Sequence, residues 1–157
     1  MNDSVQGFLA SALFEGEGPI RVVPWPDPVA DASGFAANSA MVEWCWLPVV
    51  GPSGAWAYRR LVSALAANKG GYDQDLAELA HWLGLGAGVS PNAPVSRTLL
   101  RLVRFGLAGV TGTRTLAVRR TAPPLRSSQL DRLNPRLQRV HATLLAQLRA
   151  GEITPGG

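Results

Sequence analysis

A mainly helical chain with one small β-hairpin is what the sequence predicts, and three features predict it. Apolar residues recur at helical intervals from Gly54 to Asn68, from Asp73 to Leu83 and from Asn92 to Arg104. After Gly106 that spacing gives way to alternation, with Leu116 and Val118 set against Thr115, Ala117 and Arg119. Glycines stand at each change of pattern: Gly70 with Gly71, then Gly84, then Gly106. A chain of 157 residues holds one domain with a real core plus some additional arms.

The elements follow in order. Residues 1–40 are rich in Gly, Ala, Pro and Ser; PWPDP at 24–28 excludes a helix there and IRVV at 20–23 offers at most a short strand. This stretch is expected to be a loosely structured N-terminal arm. The domain proper is placed at 41–122. Its first segment, MVEWCWLPVVGPS, is dense in Trp and Val and twice interrupted by proline, so it reads as a short buried strand or extended lead-in to Ser53 as a helix cap.

The first helix then buries Tyr58, Leu61, Val62 and Leu65. Asp73 is expected to cap the second, which turns Leu76, Leu79, Ala80 and Leu83 inward. Asn92 is expected to cap the third, and a hairpin follows at 107–120. Residues 123–157 carry a last helix, opened by Asn134 and Pro135, with an apolar stripe of Leu137, Val140, Leu144 and Leu148. That stripe either closes the core or forms a two-fold homodimer.

The net charge of +4 is unevenly spread. Residues 1–92 hold four basic and nine acidic groups, a net of −5, whereas residues 93–157 hold eleven arginines and two acids, a net of +9. Such asymmetry points to a polyanionic partner on the C-terminal half, and the flat guanidinium fork suits phosphates and guanine edges.

The segment at 92–104 gives this charge a place. Read as a helix, it sets Val95, Leu99 and Leu102 on one side and Arg97, Arg101 and Arg104 on the other. Three arginines with no acid among them are unusual for a merely solvated face, which mixes signs to form pairs four residues apart. Ser96 and Thr98 are of the type that reaches base edges or phosphates. Arg114, Arg119 and Arg120 on the hairpin add a second basic element.

The order helix, glycine turn, helix, helix, hairpin from Ser53 to Arg120 resembles the winged helix-turn-helix family. The likeness implies a double-stranded DNA-binding protein, with helix 93–105 in the major groove and the 107–120 wing on the backbone, and a bacterial transcription regulator as its first expected role. Separately, WLPVVGPSGAWAYRRL at 46–61 is similar to the start of DnaD-like primosomal winged-helix domains, which implies the alternative of a protein-interaction scaffold in replication or helicase loading.

Other chemistry finds little support. Asp75, Glu78 and His81 drift around a helix without a completing motif, so they read as a solvated acidic face, not a metal or acid/base site. GLGAG at 84–88 follows a helix and lacks a phosphate-loop lysine. His141 interrupts the last apolar stripe as a packed or half-exposed residue. Neither enzymatic activity nor a cofactor is expected. Cys45 is the single cysteine, expected to be buried between Trp44 and Trp46. No apolar run is long enough for a signal peptide or membrane span, and a cytoplasmic chain is expected. Trp44, Trp46, Trp56 and Trp82 form either a tryptophan-rich core or an exposed patch for a protein partner.

Overall fold

Residues 2–156 are described by the structure, a computed structural model. From the N-terminus, α1 (Asp3–Phe14) leads into β1 (Ile20–Trp25), α2 (Pro28–Ser33) and β2 (Phe35–Ala36). A π-helical segment, Met41–Trp46, runs directly into α3 (Leu47–Ala67). Then come β3 (Tyr72–Gln74), α4 (Leu76–Trp82), α5 (Pro94–Arg104), the hairpin β4 (Ala108–Gly112) and β5 (Thr115–Arg119), and β6 (Thr121–Ala122). The short α6 (Ser127–Leu130) and α7 (Pro135–Arg149) complete it. The architecture is mixed, with helices around two small sheets. No helix among the described residues is long and apolar enough to cross a membrane.

The N-terminal stretch is structured, against the expectation of a loose arm. β1 is an inner strand of a sheet ordered β3-β1-β5-β4, antiparallel to β3 and parallel to β5. Its side chains alternate, Ile20 and Val22 fully buried and Arg21 exposed. β3 pairs only as far as Val22, so Pro24 falls where one flank of the strand carries no neighbour, a position a proline tolerates. One hydrophobic cluster includes Leu13 of α1, Leu61 of α3, Leu99 of α5 and Leu144 of α7, so the stretches 1–40, 41–122 and 123–157 share a single core.

The expected extended segment at 41–52 is helical. Met41, Val42, Cys45, Trp46 and Val50 are buried while Glu43, Trp44 and Pro48 are exposed, which is a helical repeat that the dense apolar composition concealed. Both prolines stand where the helix changes its winding. Pro48 follows directly on the passage from π- to α-helical winding, and Gly51 breaks the helix at φ 79°, so Pro52 opens its second half. Trp46 Nε1 donates to Pro123 O at 2.9 Å, joining this segment to the stretch after β6, and α7 packs on the same segment.

Two caps differ from expectation. Asp75, not Asp73, accepts from Glu78 N–H at 2.8 Å and opens α4, because Asp73 belongs to β3 and faces Arg21 at 3.4 Å. At α5 the cap position is Ala93, followed by Pro94 at the start of the helix, and Asn92 makes no capping bond. Asn134 caps α7 as expected, accepting from Leu137 N–H at 2.9 Å.

Candidate nucleic-acid interface

Helix α5 is held on its inner side by Val95, Leu99 and Leu102, all fully buried, with α3, β4, α1 and α4 packed around it. At about 100° per residue, Arg97, Arg101 and Arg104 lie within roughly 60° of one another on the opposite side. All three are exposed. Two ion pairs form among the described residues, Arg21 with Asp73 and Arg119 with Asp27, and neither includes the α5 arginines. Burying one side therefore leaves the other with three unneutralised guanidinium groups along about 10 Å of helix.

Local contacts set the pose of two of them. Arg101 Nη1 donates to Val50 O at 3.3 Å, the carbonyl just before the break in α3. A side-chain carbon on Gly51 would lie 2.7 Å from that same Nη1, so the glycine is required both for its left-handed backbone and for the approach of Arg101. The Arg104 guanidinium lies 5.4 Å from the centre of the Phe105 ring.

Ser96 and Thr98 turn inward, which removes them from the predicted contact set. Both are buried: Ser96 Oγ donates to Ser90 O at 2.7 Å, and Thr98 Oγ1 shares a hydrogen bond of 3.1 Å with Ser53 Oγ of α3. Serine and threonine often meet nearby backbone or a facing hydroxyl in this way, and residue type alone does not reveal it.

The hairpin is present at 108–119, but two of its arginines are engaged inside the molecule. Arg114, at φ 51°, places its backbone N–H on Ala12 O at 2.8 Å and its guanidinium on the carbonyls of Glu15, Gly16, Gly18 and Pro19. Ala12 O belongs to the last turn of α1, whose carbonyls have run out of helical donors, and the other four oxygens belong to the cap and loop after it, so the backbone N–H holds the helix end and the guanidinium holds the loop. Arg119 meets Asp27 at 2.8 Å, donates through Nε to Gly106 O at 2.7 Å, and covers the Trp25 ring at 4.1 Å. The hairpin tip is thus clamped to α1 instead of standing free as a wing. Arg120 is exposed, on a cleft shared with Trp56, Arg59 and Arg60.

Two exposed arginines that the motif reading missed lie near the C-terminal end of α5. Arg126 Nη2 would stand 3.3 Å from a side-chain carbon on Gly106, and Arg132 lines a small cavity with Phe105 and Pro48. Gln129 supports this join, its Nε2 donating to Phe105 O at 3.4 Å. The signal available for them was the +9 balance of residues 93–157, which does not say where the arginines converge.

Two other groups carry no such chemistry. Cys45 is fully buried, and burial pushes its thiol up to about 11. Among the described residues no three His, Cys, Asp or Glu side chains are grouped to hold a metal ion. Comparison with protein-family models, with curated proteins and with solved structures finds no match to this chain.

Proposed function

We propose that the chain binds double-stranded DNA through α5, in a winged-helix arrangement. The observation that carries this reading is the triad Arg97, Arg101 and Arg104: exposed, without a carboxylate partner among the described residues, on a helix whose other side is locked into the core. A helix about 10 Å across fits the major groove, and arginine pairs well with guanine edges and phosphates there. The succession α3, β3, α4, α5, β4, β5, with β3 in the sheet of the hairpin, supports the winged-helix reading; the insertion of β1 between β3 and β5 is a departure from its simplest form.

Arg126 and Arg132, not Arg114 and Arg119, extend the basic surface in this reading. Backbone phosphates flanking the groove are met by the α6 side of α5, and the hairpin acts as a brace that holds α5 and α1 together. Transcription regulation is the role we propose for such a contact.

A salt titration of binding to a mixed-sequence duplex tests the reading. Replacing Arg97, Arg101 and Arg104 together by alanine is expected to weaken binding strongly and to flatten the dependence of log affinity on log salt by up to about three charge equivalents. A triple variant that binds as the parent does, with an unchanged slope, overturns the assignment.

A further inference from the structure

Beside α5, two adjoining cavities run along the outer side of α3, and Trp56 and Arg60 line both. The larger, about 590 Å³, has Val62 and Ala66 on its apolar wall and Arg59, Arg60 and Arg120 on its rim. The smaller, about 420 Å³, lies between Trp56 of α3 and Trp82 of α4, with Pro52 and Ser53 at one end. Among the described residues no Asp or Glu side chain lines either one.

Both indoles are half exposed, 52% for Trp56 and 49% for Trp82, as is Trp44 outside the groove, and each belongs to a helix whose core positions are filled by other residues. Each ring also has a guanidinium near it, Arg59 at 4.6 Å from the centre of Trp56 and Arg60 at 5.7 Å from that of Trp82. An arginine resting on an indole shows that the ring face takes a flat group, and it keeps a planar set of N–H donors beside that face for a phosphate. Two flat apolar platforms alternating with three cations, with no acidic side chain among the described lining residues, match a chain that alternates flat bases with phosphates.

We propose that this groove binds single-stranded nucleic acid, with bases taking the place of Arg60 over Trp82 and of Arg59 over Trp56, and the displaced guanidiniums, together with Arg120, meeting the intervening phosphates. Two contiguous chambers suit a run of nucleotides better than one mononucleotide. Stacking is indifferent to base identity, so the groove binds without strong sequence preference. Its evidence is independent of the α5 triad, and the two sites fail or succeed separately. Ser53 of the groove is bonded to Thr98 of α5, which sets the two surfaces side by side.

The test measures anisotropy of labelled twelve-residue oligothymidylate and oligouridylate, with a twelve-base-pair duplex and a polyglutamate peptide as comparisons. The expected result is that Trp56→Ala and Trp82→Ala each weaken single-strand binding about 5- to 100-fold. Trp56→Phe is expected to restore most of the loss, and duplex affinity is expected to stay unchanged. Circular dichroism and thermal unfolding check that the variants fold; Arg120→Ala, outside α3 and α4, gives a second reading, with a smaller loss and a shallower salt dependence. Preference for one oligomer identifies the strand as DNA or RNA. Polyglutamate binding as tightly as the oligomers, or tryptophan variants that bind them as the parent does, overturns the proposal.

Discussion

The Arg119 guanidinium meets the Asp27 carboxylate at 2.8 Å, joining the end of the hairpin to the residue that caps α2. The same arginine covers Trp25 and donates to Gly106 O, so one side chain ties together β1, β5 and the turn after α5. Trp25 and Arg119 are themselves paired across the parallel strands. This is where the N-terminal third is fastened to the hairpin.

That pair has a signature in acid. The hydrogen bond from Arg119, aided by the Ala30 N–H, holds the Asp27 carboxyl below its ordinary value of 3.8. A carboxyl depressed in the native state contributes stability that is present above the unfolded value and is lost as pH falls through the folded one. Urea midpoints measured from pH 7 to pH 2.5 are therefore expected to fall more steeply below about pH 4 in the parent than in Asp27→Asn. Identical acid limbs in the two proteins would show that the pair does not discriminate folded from unfolded chain.

Arg114 yields a prediction that separates bracing from binding. Its left-handed backbone and its carbonyl contacts around the end of α1 make opposite demands on a replacement. Both Arg114→Gly and Arg114→Ala lose the clamp, but glycine accepts the positive φ without penalty, so the alanine variant is expected to be less stable by about 1 kcal/mol. Duplex affinity is expected to stay within about twofold of the parent in both, since the guanidinium is already engaged. A loss of affinity in step with that of the α5 arginines would return the hairpin to the DNA contact.

Gly51 ties backbone geometry to the proposed site. Gly51→Ala places a methyl group 2.7 Å from Arg101 Nη1 and forces an L side chain to φ 79°. The expected cost is about 1–2 kcal/mol from the left-handed conformation alone. Because Arg101 is pushed from Val50 O at the same time, duplex affinity is expected to fall as well, by less than in Arg101→Ala. Thermal unfolding and anisotropy on the same samples measure the two effects; unchanged values in both would remove the constraint assigned to this glycine.

Helix α5 was legible in the sequence because a helix buried on one side sorts its residues by a strict geometric rule, and Val95, Leu99, Leu102 and the three arginines obey it. The same rule placed α3 from Gly54 onward, α4 and α7. It did not reach β1, whose hydrogen-bonding partners are Tyr72–Gln74 and Thr115–Arg119, far along the chain, and whose proline argued against an inner strand. Nor did it reach the fate of Arg114 and Arg119. Charge and position mark an arginine as available for a partner, but the carbonyls of residues 15–19 and the Asp27 carboxylate come close only once β1 has entered the sheet. Ser96 and Thr98 illustrate the same limit at short range: their small hydroxyls are satisfied by Ser90 O and Ser53 Oγ, and burial follows from those bonds.

His141 supplies a further prediction near neutral pH. It is buried on α7, and its Nε2 accepts the Leu125 N–H at 3.0 Å, which fastens α7 to the stretch before α6. An imidazole can accept there only when Nε2 is unprotonated, and burial lowers its affinity for the proton from the ordinary value of 6.5. The native state therefore disfavours the charged form that the unfolded chain takes up below that value. Stability from this group is fully present above about pH 6.5 and declines as pH falls through that value toward the lower folded one. His141→Gln keeps an acceptor and removes the titration. Its melting temperature is expected to be below that of the parent at pH 8 and to change less between pH 7 and pH 5. Parallel declines in the two proteins over that interval would place the neutral-pH sensitivity elsewhere in the chain.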